Sequence, residues 1–242
     1  MIMTRGGISF LLRAFLNPIA LIYSDPGVML MKISSPSLSD ELLKVPYPPD
    51  TDEDFESLLL ENVNLSQQNF SKTEWRGCVL KNCNFSGCDL SGAGFVDVVL
   101  DHCDLSSCRM ENTVFRRAEI INCRLTGAEL IQGILNDVLL KECRGDYLNL
   151  AECKCSSVRF DSCMLRETAM ESTKLSAVEF RACDMTSVSV HGTPMKNIDL
   201  RSCRIDGMNV DVYVLRGMIV TEQQAAMLAS LLGLVIREDV LT

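Results

Sequence analysis

Large apolar residues recur every fifth position along most of this chain. From Leu60 to Val210 the series runs Leu60, Leu65, Phe70, Trp75, Leu80, Phe85 and onward without a slip, and 29 of its 31 positions are large and apolar. The exceptions are Gly145 and Cys155. Two residues before each member lies a second column of small or moderately apolar residues, among them Cys78, Cys83, Cys88, Ala93, Val98 and Thr113, with only Gln68 out of place. The remaining three positions of each pentad are mostly charged residues, Ser, Asn or Gly.

No α-helix has this period, because 3.6 residues per turn would smear the apolar positions around the axis. A plain strand alternates with period two. A period of five fits one short extended piece and one turn, for which the outward Ser, Asn and Gly are suited. Such a unit cannot bury its apolar side alone and has to stack on copies of itself.

The cysteines set the size of one coil. Cys83, Cys103, Cys123, Cys143, Cys163, Cys183 and Cys203 are spaced by 20 residues. Four pentads therefore complete one turn of a square solenoid. The expected fold is all-β, a quadrilateral parallel β-helix of about eight coils of 20 residues, which at the usual strand spacing is about 37 Å long. The same period should stack Trp75, Phe95 and Phe115 on one face and Phe160 and Phe180 on another.

The segments outside the repeat differ in character. Residues 1–30 carry short apolar runs broken by Arg13 and Pro18, which spoils a membrane span of about 20 residues; a start of translation at Met29 or Met31 would leave this extension out. Residues 31–57 form an acidic arm with Pro36, Pro46, Pro48 and Pro49, which argue against regular structure. One outward column of the repeat is apolar at 20-residue spacing (Leu59, Val79, Val99 and Leu139, with Glu119 among them), and residues 31–49 are expected to lie along it. Residues 58–212 are the repeat. Residues 213–242 carry a capping-box pattern, Thr221-Glu222-Gln223-Gln224, that opens a short helix, and Gly233 suits its end. Ala225, Leu228 and Leu232 are expected to cover the last coil. The helix is apolar on more than one face, which points to a dimer whose interface includes Met227, Leu228, Leu231 and Leu232; the alternative is a monomer whose tail, Leu234–Ile236, folds back over them.

Composition narrows the function. The net charge of −9 disfavours direct nucleic-acid binding, which is driven by Lys and Arg neutralising phosphates, and permits a partner that itself grips DNA. The pentads hold 21 acidic and 17 basic residues, a balance of −4. All but Cys155 of the 12 cysteines lie in the small inward column, where free thiols pack as small hydrophobes. The two histidines, His102 and His191, fall at outward positions, so no mixed metal site is expected, and a reducing cytoplasm argues against disulfides. No nucleophile–base set, phosphate loop or ligand cluster appears, so neither enzymatic activity nor a cofactor is expected. Gly145-Asp146-Tyr147 is the weak spot of the large column, read either as an indentation used for contact or as a packing adjustment in which Tyr147 leans inward.

The stretch Asn84-Phe85-Ser86-Gly87-Cys88-Asp89-Leu90-Ser91-Gly92-Ala93 resembles the A(D/N)LXX consensus of the pentapeptide-repeat family, whose fold is a right-handed quadrilateral β-helix. Leu215-Arg216-Gly217-Met218-Ile219-Val220-Thr221, Gln224-Ala225 and Leu231-Leu232-Gly233-Leu234-Val235-Ile236 resemble the C-terminal module of the Qnr group. Met31-Lys32-Ile33 and Cys143-Arg144-Gly145-Asp146-Tyr147 are most similar to chromosomal Qnr proteins of Gram-positive bacteria. That resemblance implies a dimer joined through the C-terminal helices that binds DNA gyrase and topoisomerase IV, imitates duplex DNA and protects the enzymes from quinolones. The loops that many Qnr proteins insert between pentads are absent here. The other reading is an interaction rod with a different protein partner, since fold does not fix function.

Overall fold

The structure is a computed structural model that describes residues 31–45 and 54–237. The chain divides into two units, residues 1–32 and 33–242, and the second holds the whole repeat. The extension at residues 1–30 lies outside the described residues.

Each large inward residue turns its side chain to the axis, and Leu60, Phe70, Trp75, Leu90 and Leu100 are fully buried. The position two residues later adopts a left-handed backbone, as at Asn62 (φ 58°), Gly87 (φ 68°) and Asn122 (φ 53°). Left-handed φ is cheap for Gly and tolerated by Asn, which is why these residues recur at the corners. The residue before the inward one is often Asn or Asp for a second reason. Its side chain accepts a hydrogen bond from the backbone N–H two residues on, as from Ser86 to Asn84 at 2.9 Å and from Ser106 to Asp104 at 2.9 Å. Local turn chemistry therefore bends the chain once per pentad.

Four such bends bring the chain back above itself. Strands β3 (Leu58–Glu61), β5 (Val79–Lys81), β6 (Gly94–Asp101), β7 (Val114–Ile121), β8 (Ile134–Lys141), β9 (Lys154–Asp161) and β10 (Lys174–Arg181) form one parallel sheet. Every pair is offset by 20 residues: Leu60 opposite Leu80, Leu80 opposite Leu100, Leu100 opposite Ile120. Seven rungs from Leu60 to Phe180 make about six turns of continuous strand pairing. The sequence expectation of about eight coils counts further because Leu200, Ile205 and Val210 keep their inward places. There the pairing thins to isolated bridges such as Asp184 with Arg204 and Ser189 with Asn209.

The aromatic ladders form as the 20-residue period requires. Trp75 stacks on Phe95 at 6.0 Å with the planes 10° apart, Phe95 on Phe115 at 4.8 Å, and Phe160 on Phe180 at 4.9 Å. Strand β2 (Phe55–Glu56) pairs with β4 (Glu74–Arg76) in the same register. Phe55 thereby extends the first ladder, with its ring 4.0 Å from that of Trp75.

The arm is more regular than its prolines suggest. β1 (Leu43–Val45) pairs in parallel with β3, Leu43 opposite Leu58 and Val45 opposite Leu60, and Lys44 forms an ion pair with Glu61. β1 thus adds a strand to the first coil, whose edge would otherwise be open. Prolines 46, 48 and 49 lie outside the described residues.

Candidate interaction surfaces

The cysteine ladder is a device of the interior. All twelve cysteines are free and buried. Along the small column the thiols do more than fill space. They donate to backbone carbonyls 23 residues earlier, as Cys88 to Leu65 at 2.9 Å, Cys108 to Phe85 at 2.9 Å and Cys153 to Leu130 at 2.7 Å. Where the column holds Thr, the hydroxyl makes the same bond, Thr113 to Leu90 and Thr168 to Gly145. Where the column holds Cys or Thr, the side chain supplies that carbonyl with a donor, while Ala93, Val98 and Val138 fill the same column without one. Cys155, in the large column, is 3% exposed. Burial pushes the thiol of Cys78 up to about 11 and those of Cys108, Cys153 and Cys155 up to about 12. Since the thiolate is the reactive species and every thiol is shielded, a thiol reagent at pH 8 is expected to leave all twelve untouched in the native protein. All twelve should react after unfolding without reductant, and a shortfall there would mean disulfides.

Residues 34–45 of the arm lie along the apolar outward stripe, and residues 46–49 lie outside the described residues. Val79, Val99 and Leu139 are buried, as is Glu119 between them, while Leu59 is half-buried. The backbone N–H of Ser34 donates to Asp137 at 3.1 Å and that of Ser37 to Asp97 at 2.8 Å. The arm therefore runs back along the solenoid toward the first coil. Burial holds the Glu119 carboxyl above the usual carboxylate range, and a hydrogen bond with Ser35 acts in the opposite direction. With a folded pKa above the unfolded one, the folded state binds the extra proton, so this group's contribution is lost as pH rises from the ordinary glutamate range through the raised value. Glu119→Gln is expected to stabilise the protein at neutral pH and to flatten that decline, as measured by melting temperature against pH. An unchanged pH profile would contradict it.

The C-terminal end is closed by Gln224, which the sequence pattern marks only as a member of the capping box. Helix α1 (Glu222–Ala229) opens with the expected capping box: the Thr221 hydroxyl accepts from the backbone N–H of Gln224, and the side-chain Oε1 of Gln224 accepts from the backbone N–H of Thr221. The Gln224 amide then donates to the carbonyls of Leu200 and Cys203, both at 2.8 Å. One buried side chain thus starts the helix and ties it to the last coil. Of the residues expected to cover that coil, Leu228 packs against the core, but Ala225 is exposed and Leu232 is 56% exposed. The capping box rotates the helix so that Gln224 faces the coil in place of Ala225. Gln224→Leu, which keeps the bulk and removes the donors, should cost about 1–3 kcal/mol because two carbonyls lose their partner. Denaturant titration checks this, and a loss within error would contradict the role.

Beyond this seat the end is apolar and open. Met227 and Leu231 are each 43% exposed, and Leu234, Val235 and Ile236 are exposed as well. Gly233 (φ 71°) ends the helical stretch, and the tail does not fold back over these side chains.

At Gly145 the inward pattern is exchanged within one pentad. The space is filled by Leu148 from the small column, 2% exposed, whose Cδ2 would lie 3.3 Å from a Cβ at Gly145. Tyr147 does not lean inward; it is 58% exposed. Leu148 already occupies the room, so the phenol stays outside. Next to it lies a concavity of about 570 Å³ on the outer face.

Among the described residues, no group of three His, Cys, Asp or Glu side chains could hold a metal ion, and no helix is long and apolar enough to cross a membrane.

Comparison with known protein families agrees with this geometry. The Pentapeptide repeats family matches in eight copies over residues 59–93 and 95–132. No curated protein matches the sequence. Among solved structures, trypsin-treated QnrB1, a plasmid-mediated fluoroquinolone resistance protein, is 22% identical, covering 81% of this chain and 98% of its own at a TM-score of 0.35. HetL, involved in heterocyst differentiation regulation in the cyanobacterium Nostoc, is 17% identical over 70% of this chain and 91% of its own, with a TM-score of 0.36. A pentapeptide-repeat protein of the Arabidopsis thaliana thylakoid lumen is 22% identical over 44% of this chain and 73% of its own, with a TM-score of 0.39. The family model thus matches within residues 59–132, and the five-residue register continues unbroken from there to Val210 with the same 20-residue coil, so the fold is a pentapeptide-repeat β-solenoid.

Proposed function

We propose that this protein is a non-enzymatic interaction rod that works as a dimer, binds type II DNA topoisomerase (gyrase or topoisomerase IV) in place of duplex DNA, and protects it from quinolones. The observation that carries the reading is the C-terminal module. Its sequence from Leu215 to Ile236 resembles that of the Qnr group. Gln224 fixes α1 on the last coil, and the apolar side chains of Met227, Leu231 and Leu232 are left outside. Exposed apolar side chains clustered at one end of a rod suit a self-complementary two-fold contact. Joining two rods end to end doubles the length of a surface whose pentads carry a balance of −4, a sign that suits a groove built for DNA. The test is gyrase supercoiling inhibited by a fluoroquinolone, with and without the purified protein. Restored supercoiling is the expected result; no rescue at any ratio of protein to gyrase would overturn the reading. Met227→Asp with Leu231→Asp is expected to give a monomer by sedimentation and to weaken the rescue.

A second reading, a rod for another protein partner, is favoured by one feature. Acidic residues of the repeat are often paired across coils with basic ones: Asp89 with Arg109, Asp97 with Arg117, Glu179 with Arg159 and Asp146 with Arg166. Such pairs weaken the field that imitation of DNA requires.

A further inference from the structure

We infer that the concavity beside Gly145 is a binding site for a phosphate group. Three arginines stand around it, Arg124, Arg144 and Arg166, from three successive coils. Successive coils are about 4.8 Å apart, so guanidinium groups rising from neighbouring coils can converge on one oxyanion, the ligand their planar forks fit best. Only Arg166 is fully engaged, with Nε 2.8 Å and Nη2 3.1 Å from the two Asp146 oxygens. Arg124 comes no nearer than 3.9 Å to Asp104, and Arg144 no nearer than 4.0 Å to Asp146. Both are more than half exposed, and pairs so loose hold little energy. The acidic groups at the site are already committed: Asp146 to Arg166, and Glu167 to the Tyr147 hydroxyl.

A second, independent observation lies in the lining of the concavity. The hydroxyl oxygens of Ser106 and Thr126 are buried and have no hydrogen-bond partner. Buried polar atoms are nearly always partnered, and each exception calls for an explanation. The backbone adds to it. On this face Asn64, Asn84, Asp104 and Asp184 each accept from the N–H two residues on. The corresponding residues in the intervening coils are Arg124, Arg144 and Met164, which offer no such acceptor. The three coils that lose the usual acidic or amide acceptor are those that bring arginines. Two guanidinium groups held only loosely by carboxylates at 3.9 and 4.0 Å, and two lining hydroxyls without a partner, form a donor set at one concavity, and a phosphate oxyanion offers acceptors to it. The chain's net charge of −9 gives no general attraction for anions, so binding here would be local.

The test is isothermal titration of the full-length protein at low ionic strength with inorganic phosphate and, separately, with ribose 5-phosphate. Saturable binding at one site per chain is expected, weakened tenfold or more by Arg124→Gln with Arg144→Gln, and weakened also by Thr126→Val. The control Arg109→Gln, on another face, should bind as the wild type does. Tighter binding of the ester would assign the site to a phosphorylated small molecule, and tighter binding of the free ion to inorganic phosphate. No saturable heat with either ligand, or equal affinity in the wild type and the double arginine variant, would overturn the inference. Circular dichroism of each variant separates loss of binding from loss of fold.

Discussion

Phe95→Ala is expected to lower the unfolding free energy by about 3–5 kcal/mol, the range for removing a fully buried aromatic ring. The ring is completely buried and sits between Trp75 and Phe115, with both neighbouring planes within 10° of its own. The coil spacing fixes the backbone on either side, so the neighbours cannot close the gap and the cavity persists. A solenoid coil contacts only the coils above and below it. The loss should therefore fall on the first coils before the last. Trp75 is the only tryptophan and lies one coil away, so its fluorescence in a urea titration reports that region, while circular dichroism reports the whole. A downward shift in the fluorescence midpoint is expected. A loss below about 1 kcal/mol, the centre of the distribution for ordinary substitutions, would mean that the ladder repacks and is not held by the coils.

The second large effect concerns Gly145 and Leu148. Leu148→Cys restores the usual small residue but leaves a void opposite Gly145, and a loss of about 2–4 kcal/mol is expected from the series of buried large-to-small changes. Gly145→Leu restores the usual large residue but drives it into Leu165 Cδ2, which would lie 3.2 Å from the new Cβ, and into Leu148. Overpacking of this kind costs about 1–3 kcal/mol. The double variant returns the pentad to the pattern of its neighbours. It is expected to be more stable than the sum of the two losses by about 1–3 kcal/mol, the coupling usual for residues in contact. Additive losses in a double-mutant cycle would contradict the account of this pentad as one exchanged pair.

Much of the fold could be read in the sequence, because the repeat is a direct record of its geometry. Seven cysteines at intervals of 20 defined the coil, and Trp75, Phe95 and Phe115 defined the stacking. What lay hidden depends on contacts that no period records. The thiol-to-carbonyl bonds span 23 residues, and the cysteines looked like simple apolar filler until the carbonyls were in place. The exchange at Gly145 was visible as a missing large residue, but its remedy, Leu148, stood three positions away in the other column. Tyr147, bulkier and nearer, was the wrong choice because its left-handed corner position (φ 61°) belongs to the outer face. The C-terminal helix was legible from its capping box. That Gln224 also seats the helix on the last coil was not, since a glutamine at the third helical position reads the same whether it caps one thing or two. The apolar stripe of Leu59, Val79, Val99 and Leu139 did announce a cover, and the arm supplies it, with Glu119 buried beneath.

The central functional claim is that the rod binds a type II topoisomerase where duplex DNA binds. The most direct measurement is equilibrium binding of the purified protein to immobilised gyrase, with linear duplex DNA as competitor. Saturable binding that DNA displaces in a dose-dependent way, and that raised salt weakens, is the predicted result. Absence of binding, or binding that DNA leaves unchanged, would contradict it.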